Sequence, residues 1–155
     1  MAIELVESYD EQDISEIRDI FIEYRKDLGL DLSFQEFQDE LEELPGEYSP
    51  PEGSILMAKD EDETVGCVAL RKINEDTCEM KRLYVKPDYR GEGLGKKLAL
   101  SIIEKAREKG YGKMKLDTLT TLKKANELYR SIGFEECEPY RYNPLDDALY
   151  MELEL

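Results

Sequence analysis

Apolar positions along the chain follow two periods. Ile14, Ile17, Phe21, Tyr24 and Leu28 recur at spacings of three and four, one face of a helix that Gly29 ends. Ser33 with Glu36 three residues on forms a capping box ahead of Phe34, Phe37, Leu41 and Leu44, a second amphipathic helix stopped by Pro45-Gly46. A third helix is predicted over residues 92–110, with Leu94, Leu98, Ile102 and Ala106 on one face. A fourth covers 122–132, turning Ala125, Leu128, Tyr129 and Ile132 inward before Gly133 breaks it. Period-two runs supply the strands. Ile3 and Leu5 begin a short one, and 54–59, 64–72 and 77–85 form three more, separated by acidic turns as in an antiparallel meander. Further strands fall at 113–118 and 148–155, the last alternating Leu149, Met151, Leu153 and Leu155. Residues 47–53, with Pro50-Pro51, read as a loop. The order β-α-α-β-β-β-α-β-α-β, with room for one more strand, describes one mixed α/β domain over residues 1–155.

Composition narrows the function. At 155 residues, 41% hydrophobic and 37% charged, the chain is long enough to bury its own core without staples. No apolar run approaches the ~20 residues that span a bilayer, and Met1-Ala2-Ile3-Glu4 lacks the basic flank of a signal peptide, so no membrane association and a cytoplasmic location are expected. Cys67, Cys78 and Cys137 have no C-x-x-C spacing and histidine is absent, which excludes the usual zinc sites and the Cys-His and Ser-His-Asp triads; no metal is expected. A net charge of −16 argues against nucleic acid. The charge is uneven, however. Residues 1–48 hold three basic and sixteen acidic side chains, whereas 80–115 hold eleven basic and four acidic ones. That basic middle marks either a polyanion site or one cation-coated helix.

The most informative segment is Leu83-Tyr84-Val85-Lys86-Pro87-Asp88-Tyr89-Arg90-Gly91-Glu92-Gly93-Leu94-Gly95-Lys96-Lys97, in which a strand gives way through three glycines to a helix. Glycines let successive amides curl around phosphate oxygens, and the helix start adds orphan donors and partial positive charge. The spacing fits neither G-x-G-x-x-G nor a P-loop, so it describes a pyrophosphate cradle of another kind. The run Arg90-x-x-Gly93-x-Gly95 resembles the acetyl-coenzyme A signature of the GNAT family of N-acetyltransferases. The segment Ala125-Asn126-Glu127-Leu128-Tyr129-Arg130-Ser131-Ile132-Gly133-Phe134 is similar to their A-x-x-L-Y-x-x-x-G-F motif, and the element order follows theirs along essentially the whole chain.

This resemblance implies a mostly antiparallel sheet with one splayed parallel pair, and acetyl transfer from acetyl-coenzyme A to a primary amine of a small molecule or peptide by direct attack. Amides of Arg90, Gly91, Glu92, Gly93, Leu94, Gly95 and Lys96 would bind the pyrophosphate. Leu83, Tyr84 and Val85 would lie along the pantetheine arm, and Tyr129 falls on the tyrosine that protonates the departing thiolate. The family's usual asparagine is replaced by Leu122, and Asn126 is the side chain placed to compensate. Glu79 sits where histone-type members carry a glutamate base. Burial would raise its pKa toward neutrality, although an ion pair with Lys81 on the same face competes with that role.

The two acidic helices of residues 10–44 stand where the family builds its acceptor pocket. They would either attract a cationic amine or simply be solvated. Tyr24 and Arg25 on the first helix and Tyr142 in the tail are the candidate acceptor contacts, with a salt bridge from Arg25 to Glu23 or Asp27 as the alternative. A homodimer is compatible with the sequence. A coenzyme A-binding sensor or subunit of the same fold, without turnover, is the alternative to an enzyme.

Overall fold

A computed structural model describes residues 3–30, 35–141 and 147–155. Strand β1 (Ile3–Val6) leads to helix α1 (Glu11–Asp27), whose first turn is capped by the Asp10 carboxylate accepting from the Asp13 amide at 2.9 Å. Helix α2 (Gln35–Glu43) follows; the Ser33 end of the predicted capping box and Phe34 lie outside the described residues. Next come β2 (Ser54–Asp60), β3 (Glu63–Lys72), β4 (Thr77–Val85), α3 (Leu94–Glu108), β5 (Lys113–Leu119), α4 (Lys123–Ile132), the short β6 (Glu135–Glu136) and β7 (Ala148–Glu154). The stretch read as a loop contains a 3₁₀ turn, Gly46–Tyr48, that buries Tyr48 edge-on against Phe21, with ring centroids 6.1 Å apart. One aromatic flanked by polar residues carries too little periodicity to have revealed it.

The seven strands form one sheet in the order β1-β2-β3-β4-β5-β7-β6. Neighbours are antiparallel except β4 and β5, which run parallel for only three residue pairs, Thr77–Lys113, Cys78–Met114 and Glu79–Lys115. Alternation along the strands divides the core. Leu70, Met80, Val85, Met114 and Leu116 face α3 and α4 with Leu98, Ile102 and Tyr129. Ile55, Met57, Cys67, Ala69 and Tyr84 face α1 and α2 with Ile17, Phe21, Phe37 and Leu41. The division explains why each helix needs only one apolar stripe.

The parallel pair parts beyond Glu79 for a local reason. Ala69 pairs with Lys81 and Cys67 with Tyr84, so Val68 stands opposite two residues, Arg82 and Leu83. Arg82 takes φ +60°, and the Cys67 thiol donates to its carbonyl at 3.2 Å. A bulge of this kind bends and twists its strand away from the neighbour. As a result Lys81 and Arg82, adjacent in sequence, both line the α2 side of the sheet, while Leu83 packs toward α3.

Candidate active site

Two structures meet at the parted strands. The first is the turn between β4 and α3. Gly91 and Gly93 take φ of +86° and +83°, values that side-chain-bearing residues seldom adopt. Among the described residues, no amide from 91 through 96 donates to a protein acceptor; on either side, the Arg90 amide bonds to Pro87 and that of Lys97 to Gly93. These donors sit at the N-terminus of a fifteen-residue helix, where the peptide dipoles add positive potential. The arrangement fits a diphosphate through main chain alone. The Arg90 side chain turns the other way. Its Nε donates to the Val85 carbonyl at 2.7 Å, Nη2 to Asp27 at 2.9 Å, and the guanidinium stacks on the Tyr84 ring. Tyr84 is 6% exposed and shares its hydroxyl proton between Glu23 and Asp27 at 2.9 and 3.0 Å, which clasps the end of α1 to the start of the turn.

Tyr129 lies on α4 against Phe134, 9% exposed, with ring centroids 5.9 Å apart. Burial, with smaller contributions from Tyr24 and Asp117, pushes its phenol well above the usual range, so it stays protonated and available as a donor. Its hydroxyl donates to no other described residue.

The second structure is a cavity of about 570 Å³ between α1, α2 and the sheet. Its floor comes from the sheet: Arg71 on β3, Lys81 and Arg82 on β4 and Asp117 on β5, with Arg141 beyond β6. Arg82 makes a two-pronged pair with Glu40 of α2, at 2.9 and 2.8 Å. Beneath the floor Glu79, 0% exposed, accepts from Arg71 Nε at 2.6 Å, from the Tyr140 hydroxyl at 2.5 Å and from Arg141. Burial alone would raise the Glu79 pKa, but Lys81, Arg71 and Arg141 together bring it below the ordinary carboxylate value. Lys81 is half-buried; desolvation first, then repulsion from Arg82, pushes its ammonium down to about 8.

Comparison with known proteins agrees with this geometry. The profile of the acetyltransferase (GNAT) family matches residues 14–134. The chain belongs to that family. An uncharacterized N-acetyltransferase of Schizosaccharomyces pombe is 44% identical over 93% of this chain and 90% of its own length. Another, from Dictyostelium discoideum, is 32% identical with both chains fully covered. Among solved structures, an acetyltransferase from Streptococcus agalactiae superposes with a TM-score of 0.84 at 23% identity, covering 99% of this chain and 98% of its own. The splayed parallel pair expected from the resemblance is present in this chain, and its overall fold matches that of a solved acetyltransferase.

The GNAT site residues expected from sequence fall into three groups. The main-chain turn from Arg90 to Lys96 and the strand end Leu83, Tyr84 and Val85 adjoin as expected, and Tyr24 and Arg25 line the cavity. Tyr129 is not among the cavity-lining residues, although two that are, Tyr24 and Asp117, lie close enough to act on its phenol. Tyr142 lies outside the described residues.

Two expectations are corrected. Asn126 is 3% exposed, accepts from Thr118 Oγ1 at 3.0 Å and donates to the Leu119 carbonyl at 2.9 Å, so its amide staples β5 to α4 where a coenzyme contact was expected. Glu79 has a lowered pKa where a raised one was expected, because three cations and a phenol surround it. A carboxylate so committed is a poor proton acceptor. The alternative partners for Arg25 are also engaged elsewhere, Asp27 with Arg90 and Glu23 with Tyr84, while the Arg25 guanidinium lies 4.7 Å over the Phe37 ring. Sequence reasoning missed Arg71, Arg82 and Asp117. Asp117, two residues past the last position at which β5 pairs with β4, had a readable signal: period-two alternation puts it on the same face of β5 as Lys115, the partner of Glu79.

Among the described residues no group of three or more His, Cys, Asp or Glu side chains is placed to hold a metal, and no helix is long and apolar enough to cross a membrane.

Proposed function

We propose that this GNAT chain transfers the acetyl group of acetyl-coenzyme A to a primary amine seated in the cavity over β3–β5. The observation that carries the reading is the uncommitted row of amides from 91 through 96 at the head of α3. The thioester supplies an activated acetyl carbon; the chain supplies its placement. The diphosphate binds the turn, the pantetheine arm follows β4 past Val85, and the carbonyl rests where β4 leaves β5. Amides of β4 freed by the parting polarise that carbonyl. The amine nitrogen attacks the carbonyl carbon, the carbon–sulfur bond breaks, and the Tyr129 hydroxyl gives its proton to the leaving sulfur. The proton lost by the amine leaves through water, with Asp117 the carboxylate that lines the cavity at the parting.

Direct transfer, without an acyl-enzyme, agrees with the cysteines. Cys67 and Cys78 are buried, desolvation pushing the thiol of Cys78 up to about 12 and that of Cys67 higher still, so neither provides thiolate near neutral pH. Acetyl-coenzyme A should raise the melting midpoint where ATP and NAD leave it unmoved, and free thiol should appear only when amine is added. A midpoint that ignores acetyl-coenzyme A would sink this reading.

A further inference from the structure

The cavity floor presents donor groups that no carboxylate oxygen reaches. Arg71, Lys81, Arg82 and Arg141 converge there from β3, β4 and the segment after β6. Glu40 spends both oxygens on Arg82, Glu47 pairs with Arg71, and Glu79 is shared between Arg71 and Arg141 with the Tyr140 hydroxyl on its other oxygen. Two groups remain. Among the described residues no carboxylate lies within ion-pair distance of the Lys81 ammonium, and the Arg141 Nε is buried with no acceptor. Buried donors are nearly always satisfied, and an orphan beside a cavity asks what fills it. Arg82 and Arg141 repel the Lys81 ammonium while Glu79 and Asp117 attract it from a distance, so its charge is balanced although no carboxylate oxygen reaches it. Asp117, on β5 where the register places it across the parted strands from Lys81, is the negative group of the floor.

We infer that the cavity takes an acceptor bearing a carboxylate beside its amine, a free amino acid, with Lys81 and Arg141 receiving the carboxylate and Asp117 facing the ammonium. This rests on the acetyl-transfer reading of the same cavity. A zwitterion satisfies both surplus donors while adding no net charge to the site. A diamine or a simple amine offers no acceptor, so either would leave the Arg141 Nε unpaired and the Lys81 ammonium without a bonded oxygen. On the α2 wall Glu36, Asp39 and Glu43 also line the cavity, while Glu40, which meets the floor, is paired with Arg82.

The test uses matched pairs with and without the carboxylate: alanine and ethylamine, leucine and 3-methylbutylamine, lysine and 1,5-diaminopentane. Acetyl-coenzyme A-dependent thiol release should favour at least one amino acid over its partner by about tenfold or more in kcat/KM, the discrimination residing in KM. Lys81→Met should bring that ratio toward one. Arg141→Lys keeps a positive charge beside Glu79 but exchanges the guanidinium for one ammonium and so loses the Nε donor; it should reduce the ratio without loss of folding. Calorimetry of the same six compounds with coenzyme A present reads the anion site without turnover, and the Lys81→Met variant should lose the preference there too. Acetyl-coenzyme A binding, followed by its own thermal shift, separates failure of the transfer reading from failure of this one. Equal use or equal binding of every acid and its amine, binding of none of the three amino acids, or a preference unchanged in Lys81→Met would each overturn the assignment.

Discussion

The turn at the head of α3 and the cavity over the sheet are built by opposite means. The turn offers main-chain amides, held open by two glycines and a helix start within six consecutive residues. The cavity offers charged side chains brought from α1, α2, β3, β4, β5 and the segment after β6. The first needs only local backbone geometry, so side chains there are replaceable. The second is a balanced charge network in which each member fixes its neighbours, and substitution at one point spreads.

The contrast is sharpest at Glu79. Glu79→Gln leaves Arg71 and Arg141 without their shared buried carboxylate and should cost about 3–5 kcal/mol in denaturant unfolding. A loss below about 1 kcal/mol would mean that the network is not cooperative. Tyr129→Phe comes next: kcat should fall about 100-fold while acetyl-coenzyme A affinity, measured by calorimetry, stays the same. An unaltered kcat would remove Tyr129 from the chemistry.

Lys81 offers a test through pH. Its ammonium titrates at about 8 in the fold against about 10.5 when unfolded, so the folded state binds fewer protons between those values. Stability from this group therefore rises as pH climbs from about 8 to 10.5, and below 8 the buried charge carries its full cost. Lys81→Met should abolish that slope and stabilise the protein at pH 7 by on the order of 2 kcal/mol, read from urea unfolding at pH 7 and 10. A slope that survives the substitution belongs to another group. Smallest is the effect in the turn. Gly93→Val forces a β-branched residue to φ +83° and should weaken acetyl-coenzyme A about tenfold. Lys97→Ala, which leaves the main chain intact, should weaken it only about twofold. The reverse ranking would mean that the turn binds by side-chain charge after all.

Legibility in the sequence follows the same division. The turn was readable because its pattern lies in consecutive residues: strand, glycines, helix. The strands 77–85 and 113–118 and all four helices were readable because each has one apolar face. What escaped depends on residues distant in sequence. Arg71 and Arg141 reach Glu79 across 8 and 62 positions, and no local pattern shows that a glutamate on a strand will have its pKa lowered by them. Asn126 was misread because its position within a motif says nothing about Thr118 and Leu119, which consume its amide. The positive φ at Arg82 escaped because no glycine marks it.

That single residue has a reach beyond its own turn. Inserting one position between Lys81 and Leu83 changes the parity of β4, so odd-numbered side chains face α1 and α2 before it and even-numbered ones after it. Glu79 and Lys81 belong to the first half, Tyr84 to the second. Removal of one residue at this point would carry Tyr84 away from Glu23 and Asp27 into the oily side and turn Val85 outward among carboxylates. The strand is thus two registers spliced together, and the splice is what lets one continuous segment serve the charged floor at one end and the open amides of the glycine turn at the other.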